Sequence, residues 1–330
     1  MMYSAELEEL CAAFPLSKRW LRPELYADRI RIGGASLDAV GLSAETADGK
    51  SATGSAAQVD GSPLRRAYFE LLERTAVLDA LSGAIEPARW PLSAAFPENP
   101  QPQAWRYSLS NGVAAQLTFG AARESAELEL IERDRILRCW RAGVAPELLP
   151  IFEERLRGYF AGLHELYEPA AFSFGVSLRP PREPVFTAGV FAFPTGDAGR
   201  HPFVYGFGAR RSLALAVEAA ARECLQRLAF LWGEDWTGEL PAFSPTADFH
   251  QEYYLRQPGI DAMRRWLFAS PPLRESEAAM SLARDEPQYY DLTPEHLRGK
   301  ISVVRAVSPE VIPLYFGRRA GYGEGLHPVS

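Results

Sequence analysis

The stretch SNGVAAQLTFGAARESAELELIERD, at 110–134, ends in residues that could do chemistry: Glu129, Glu132 and Arg133. Residues three apart in a helix project from one side, one turn above the other. Two carboxylates placed in this way repel each other mildly, and several such pairs converging would repel strongly unless cations lay between them. Hard cations such as Mg²⁺ take oxygen ligands and usually keep phosphate oxygens in their shell. The spacing therefore suggests metal–phosphate chemistry.

A similar phrase occurs in three segments, at 52–74, 110–133 and 205–227. Each has a glycine turn with small residues, then a predicted helix rich in Ala and Leu, then a polar pair three apart. The pairs are Glu70/Glu73, Glu129/Glu132 and Glu223/Gln226, which follow Gly54, Gly112 and Gly208 by 16, 17 and 15 positions. Two ExxER helices facing each other would form a carboxylate cage for Mg²⁺ and a nucleotide triphosphate. Arg74 and Arg133 could then reach phosphates, which suit the forked guanidinium.

The alternative to a functional site is a solvated charged face on each helix. Glu70 and Glu73 lie on the side of their helix away from an apolar stripe made by Leu64, Leu71 and Leu78. An ordinary exposed face would give the same pattern. The recurrence behind glycine turns favours function, but it does not identify a reaction.

The elements that must position these pairs are a mixture of helices and strands. Helices are predicted at 4–14, 64–78, 121–142, 151–165, 212–231 and 259–268, and strands at 28–32, 105–110, within 167–200, at 203–208 and at 301–307. Segment 33–63, rich in Gly, Ser and Ala, is predicted as a loop, and the proline-rich segment 84–104 as a loop or spacer. We expect an α+β fold with repeated turn–helix units packed on β-sheet. We expect one composite domain over 1–330, with an N-terminal helix and strand region at 1–50 and a core at 51–330 that carries the motifs.

The composition narrows the class of protein. The chain has 330 residues, of which 47% are hydrophobic and 23% charged, with a net charge of −7. A mildly acidic chain has no general attraction to nucleic acid or to an anionic membrane, and no run reaches the roughly 18 apolar residues of a membrane span. The N-terminus is acidic, unlike a signal peptide. Cys11, Cys139 and Cys224 are far apart, which predicts buried thiols in a reducing cytoplasm.

These motifs resemble the YcaO family. SNGVAA followed by ELELIERD resembles that family's central motif, a Ser-Asn-Gly turn before an ExxER helix. GSAA…AYFELLER resembles its first motif, GFGA…ARECLQR its third, and SVVRAVSPEVIPLYFG its closing strand. The order and spacing agree from about residue 50 to the end. The resemblance implies a YcaO-like mixed α/β domain.

The resemblance also implies a reaction, the ATP- and Mg²⁺-dependent activation of a peptide-backbone amide by O-phosphorylation. A cyclodehydratase of this kind forms azolines from Cys, Ser or Thr in a ribosomally synthesised precursor peptide. Amide oxygen is a poor leaving group and phosphate is a good one, which explains why Mg²⁺ and ATP are needed. Three alternatives stay open: a YcaO enzyme that forms thioamides or amidines, a degenerate scaffold or regulatory subunit without ATP turnover, and an ATP-using ligase for a small carboxylate or amide.

By resemblance, each motif residue receives an expected role. The metal ligands are Glu70, Glu73, Glu129 and Glu132, and the nucleotide-site residues are Asn111, Arg133, Glu223 and Gln226. No catalytic residue is assigned. Asn111 could instead hold a left-handed turn before Gly112, and the polar pair of the third motif could be an exposed helix face. Arg74 is left out because it could simply pair with a neighbouring carboxylate.

The sequence also departs from the family pattern. Ala121 stands where the family often has Glu, Ala219 where an Arg usually stands four before the third-motif Glu, and Leu228 where ExxQxR ends in Arg. The end, GLHPVS, lacks the alternating prolines common in azoline-forming members. These differences motivate the scaffold alternative.

The expected partners follow from the same resemblance. They are a precursor peptide and a separate protein that presents its leader, because no leader-binding module is recognised in the chain. We expect neither nucleic acid nor membrane as a partner. A homodimer stays open, as do the peptide, the modified residue and the nucleophile.

Overall fold

The computed structural model describes residues 3–83, 90–97, 105–179, 183–196, 201–234, 239–268, 286–317 and 326–329. The helices are α1 Ser4–Ala13, α2 Leu64–Leu81, α3 Leu92–Ala95, α4 Phe119–Ala142, α5 Glu153–Tyr159, α6 Leu213–Leu231, α7 Ala247–Tyr254 and α8 Gln257–Leu267. The strands are β1 Glu24–Ile32, β2 Ala35–Glu45, β3 Ser51–Gln58, β4 Trp105–Tyr107, β5 Val113–Gln116, β6 Glu147–Leu148, β7 Tyr167–Arg179, β8 Glu183–Pro194, β9 Val204–Arg210, β10 Gln288–Asp291, β11 Ser302–Val307 and β12 Tyr315–Gly317.

The described strands form small antiparallel sheets against which the long helices pack. Their orders are β1-β2-β3, β6-β7-β8-β9, β10-β11-β5 and β12-β4. Helix α2 packs on β3, α4 on β5 and β11, and α6 on β8 and β9. Each helix with a polar pair therefore lies against the strand that precedes it in the chain, and the molecule contains three strand–helix units: β3–α2, β5–α4 and β9–α6.

The small residues of these units allow the helix backbone to approach the strand backbone closely. A Cβ on Gly54 of β3 would lie 2.1 Å from the Ala67 carbonyl oxygen of α2. A Cβ on Gly206 of β9 would lie 2.4 Å from the Ala220 carbonyl oxygen of α6. Real Cβ atoms cannot come this close to backbone, so glycine is required at both crossings.

Two predictions made for the glycine-rich regions are wrong. Segment 33–63, predicted as a loop, contains β2 and β3. The glycines of the first and third phrases lie within strands β3 and β9 rather than in turns, while Gly112 alone of the three phrase glycines has a left-handed φ, of 68°. Small residues are typical of loops, but here they are buried under helices, as with Ala39 and Ala56, which are fully inaccessible to solvent.

The helices that carry the polar pairs agree closely with their predicted ranges. The helix predicted at 151–165 is shorter than expected, because α5 ends at Tyr159. The predicted spacer at 84–104 lies mostly outside the described residues, apart from the segment containing α3. The boundary expected at residue 50 falls between the paired strands β2 and β3, so the two predicted regions share a sheet. Among the described helices, none has the length and hydropathy needed to cross a bilayer.

Candidate functional site

The same hydrogen bond fixes the first glutamate of each polar pair to its own strand. The backbone N–H of Ser55 donates to Glu70 Oε2 at 2.7 Å, that of Val113 to Glu129 Oε2 at 3.1 Å, and that of Phe207 to Glu223 Oε2 at 3.0 Å. Each donor follows a glycine in sequence, which in the third unit is Gly206 rather than the predicted Gly208. The strand therefore orients one carboxylate in each unit.

The second residue of two pairs reaches a strand of another unit. Glu73 on α2 accepts a hydrogen bond from the Ala115 N–H of β5 at 2.8 Å. Gln226 on α6 donates through Nε2 to the Ser55 carbonyl of β3 at 3.3 Å. These two bonds tie the first unit to the second and the third unit to the first, so the predicted polar residues come together around one region.

Glu132 is different from the other residues of the pairs. No hydrogen bond or ion pair joins its carboxylate to any described residue. Burial raises its pKa to about 8, and repulsion from Glu223 adds to the rise, so the carboxylates of α4 and α6 face each other. A partly buried carboxylate with no partner in the described part of the chain is suited to an external ligand.

Glu73, Glu129 and Glu223 are also held in an environment that disfavours their charged form. Burial raises the pKa of Glu73 to about 8, with further contributions from Glu129 and Glu70. Burial likewise raises the pKa of Glu129 and of Glu223. Mutual repulsion among buried carboxylates is relieved either by protons or by a bound cation.

Arg133 and Asn111 form one connected pair beside these acids. The Arg133 guanidinium lies 2.6 Å from Glu129 Oε1 and donates to Asn111 Oδ1 at 3.2 Å. Asn111 is only 2% exposed, so its side chain orients the guanidinium. The alternative role in the turn also applies, because Asn111 directly precedes left-handed Gly112.

A cleft of about 700 Å³ opens between α2, β5 and the start of α4. Glu70 and Glu73 line it together with Thr118 and Ala121. Thr118 caps α4 by accepting the Ala121 N–H at 3.2 Å. The volume is within the range of small-molecule sites. The glutamate that the family often has at 121 is replaced by a methyl group at the wall of this cleft.

The donor set suits a hard cation accompanied by a polyanion. As they stand, the described residues contain no group of three or more His, Cys, Asp or Glu side chains arranged to hold a metal ion. Two of the four predicted ligands carry arginine partners, Glu70 with Arg74 at 2.6 Å and Glu129 with Arg133 at 2.6 Å. Carboxylate oxygens with raised pKa values nevertheless match the ligand chemistry of Mg²⁺. Their assignment as ligands stays a prediction.

Two arginines that the sequence reasoning missed lie near the same acids. Arg66 lines the cleft, and its charge interacts with Glu70 and Glu223. Arg210, at the end of β9, interacts with Glu132. Arg66 could have been found from its register, because it stands four residues before Glu70 on the same helix face.

Comparison with protein families agrees with this arrangement. A family model described as YcaO cyclodehydratase, ATP- and Mg²⁺-binding, matches residues 85–312. The match includes the second and third units and begins after Glu70 and Glu73. It confirms the resemblance and both predicted cofactors. A search of curated proteins found no match.

Solved structures of low sequence identity share the fold. YcaO from Methanopyrus kandleri bound with AMPPCP and Mg²⁺ is 17% identical with a TM-score of 0.58, over 93% of this chain and 90% of that one. A heterocyclase in complex with substrate and cofactor is 13% identical with a TM-score of 0.59, over 93% of this chain and 52% of that one. The E. coli microcin synthetase McbBCD complex with pro-MccB17 bound is 11% identical with a TM-score of 0.54, over 86% of this chain and 87% of that one. The likeness confirms the mixed α and β fold.

Proposed function

The chain belongs to the YcaO family, and we propose that it is an ATP- and Mg²⁺-dependent enzyme that activates a peptide-backbone amide by phosphorylating the amide oxygen. The observation that carries the proposal is Glu132, a carboxylate with a raised pKa and no described partner, which interacts with Glu223 of α6 and with Glu129 of its own helix, both oriented by strand N–H groups. If these buried acids only stabilised the fold, each would be expected to have a hydrogen-bond donor or a cationic side chain as its partner.

Each residue of the proposed site has its own role in binding the metal ion or the nucleotide. Glu70, Glu73, Glu129 and Glu132 hold Mg²⁺, while Glu223 and Gln226 complete the nucleotide side. Arg133, oriented by Asn111, contacts phosphate through its forked donors. Bound ATP and Mg²⁺ supply the transferable phosphoryl group and offset its charge. No residue is assigned as the base.

We further propose that the reaction is a cyclodehydration, in which Cys, Ser or Thr of a ribosomally synthesised peptide forms an azoline. The family description as a cyclodehydratase supports this choice over thioamide or amidine formation. The pro-MccB17 bound by the microcin synthetase complex supports a peptide substrate and a partner protein that presents it. If the peptide is turned over with no other protein present, the partner requirement is wrong. A single composite domain and a cytoplasmic location stay predictions.

The second candidate function is a scaffold or regulatory subunit without ATP turnover. Ala121 at the wall of the cleft and Ala219 on α6 favour it, because both lack the charged side chains common in the family. A scaffold need not bind ATP in a Mg²⁺-dependent way, so nucleotide binding separates the two candidates.

The test is calorimetric titration with ATP, with and without Mg²⁺, of the wild type, Glu132→Gln and the control Glu153→Gln. Glu153 lies on exposed α5 and pairs with Arg157. We expect Mg²⁺-dependent binding that Glu132→Gln weakens at least about tenfold and the control leaves unchanged. Absence of ATP binding by the wild type would overturn the enzymatic proposal and favour the scaffold.

A further inference from the structure

The three units differ at one equivalent position, four residues before the first glutamate of each pair. The residues there are Arg66, Ser125 and Ala219. Residues four apart share a helix face, so each of these side chains projects toward the same space as its glutamate. Only the first unit places a cation there, while the third unit, whose glutamate faces Glu132, has a partly exposed methyl group.

None of the described residues is a hydrogen-bond or ion-pair partner that explains the position of Arg66. No hydrogen bond or ion pair joins it to a described residue, although it lines the cleft. Glu70, its neighbour one turn away, already accepts from the Ser55 N–H at 2.7 Å and from Arg74 at 2.6 Å. The carboxylate nearest in sequence is therefore satisfied without Arg66.

The charges around Arg66 come from two helices and a strand. Glu70 and Glu223 attract it, and Arg222 and Arg210 repel it. Burial is the largest cause that lowers the pKa of Arg66, and the repulsion from Arg222 follows. Arg222 itself pairs with Glu218. The guanidinium of α2 therefore lies close enough to interact with the Glu223 carboxylate of α6, four residues after Ala219.

We propose that Arg66 is an anion-binding residue that contacts the polyphosphate of the bound nucleotide. It supplies, from α2, the positively charged side chain that α6 lacks at the equivalent position. This inference rests on the proposed function. An anion at this point offsets the repulsion among Arg66, Arg210 and Arg222, while its accompanying metal offsets the repulsion among the glutamates. The planar fork of a guanidinium suits phosphate oxygens, and an unpaired fork beside a cleft has its donors available.

The matched pair of variants is Arg66→Gln and Arg65→Gln. The two remove the same charge from neighbouring positions that both line the cleft, but the Arg65 guanidinium lies over the Phe69 ring, 5.5 Å from its centroid. The probes are ATP with Mg²⁺ and inorganic tripolyphosphate with Mg²⁺, and the readout is the dissociation constant by calorimetry. We expect Arg66→Gln to weaken binding of both probes about tenfold or more, and Arg65→Gln to change it less than about threefold.

The outcomes separate this inference from the proposed function. If the wild type binds ATP and Arg66→Gln binds it equally well, or if both variants lose the same affinity, the role of Arg66 is wrong and the function stands. If the wild type binds only tripolyphosphate and needs Arg66 to do so, the anion site stands and the nucleotide function fails. Binding of neither probe by the wild type overturns both.

A rescue variant tests the shared space directly. Ala219→Arg in the Arg66→Gln background restores a guanidinium four residues before Glu223. We expect it to recover most of the lost affinity, since both positions face the same region, while Ala219→Lys recovers less because an ammonium cannot form the paired bonds of a guanidinium. A correctly folded double variant with no recovered affinity would overturn the claim that the two positions serve one anion.

Discussion

Helix α4 carries two acidic side chains that differ in whether other residues of the protein pair with them. Glu132, which interacts with Glu223 of α6, has no described hydrogen-bond or ion-pair partner. Asp134, two residues further and fully buried, accepts from Arg138 Nε at 2.7 Å and from the Ile312 N–H at 2.6 Å. Burial raises the pKa of both acids. Burial acts in the same direction on both acids, and what distinguishes them is the supply of partners: other residues of the chain pair with Asp134, whereas none of the described residues pairs with Glu132.

The Asp134 cluster is a structural connection between distant parts of the chain. Arg138 also donates to the Glu310 carbonyl at 2.6 Å. The acid and the arginine together therefore fix the segment between β11 and β12 onto α4. Asp134 is fully inaccessible to solvent, and both of its oxygens accept hydrogen bonds from other parts of the chain.

The largest effect is expected from a substitution that breaks the Asp134 cluster. Asp134→Ala leaves the Ile312 N–H and the Arg138 guanidinium without their acceptor, and removing one partner of a buried ion pair costs about 3–5 kcal/mol. We expect that loss in the free energy of unfolding, measured by urea denaturation. Glu153→Ala, which breaks an exposed pair with Arg157, serves as the control and should cost less than about 1 kcal/mol. Equal losses in the two variants would contradict the structural role.

The sequence was sufficient to predict the features that depend on local spacing. The helices of the three units follow from apolar periodicity, and the polar pairs follow from residues three apart. The strands β2 and β3 could not be predicted in this way, because Gly, Ala and Ser favour loops when read locally. The small residues of these strands are explained by tertiary packing, because at Gly54 a helix backbone comes too close for any side chain.

The hydrogen bonds between the units also could not be predicted from the sequence. The bond from the Ala115 N–H to Glu73 joins residues 42 positions apart, and it depends on how α2 docks against β5. Arg66 has a visible register, but the charges from α6 and β9 that surround it come from the packing of units. Local spacing thus predicted the acids and Arg133, while the positions of Arg66 and Arg210 beside them depend on the fold.

The next largest effect is expected in the number of protons that the site releases when it binds its ligand. Glu73 and Glu132 have pKa values of about 8 against an ordinary value of 4.5. The folded protein therefore holds protons on them that the unfolded chain releases, so their contribution to stability is present below pH 4.5 and is lost as pH rises through about 8. A metal ion binds only the charged carboxylates, so its binding releases these protons.

We expect Mg²⁺–ATP binding at pH 6.5 to release about two protons, one from each glutamate, and the affinity to rise toward pH 8. Titrations in buffers of different ionisation enthalpy measure the number released. Glu132→Gln should reduce it by about one, provided that binding is still measurable at higher concentration. Binding with no proton release at pH 6.5 would show that the two carboxylates are already charged, and would remove the electrostatic argument for a cation between them.

The smallest effect is expected at Arg74, which stands in its unit where Arg133 stands in the second. Its side chain is 42% exposed, against 17% for Arg133, and its donors are used by Glu70 at 2.6 Å and by Thr53 Oγ1 at 2.7 Å. Exposed pairs contribute little, so Arg74→Gln should lower the free energy of unfolding by less than about 1 kcal/mol and change Mg²⁺–ATP affinity less than about threefold. Arg133→Gln, measured beside it, should lose about tenfold or more. Equal losses of affinity would mean that Arg74 also contacts phosphate, and that a satisfied, half-exposed arginine can still serve the ligand.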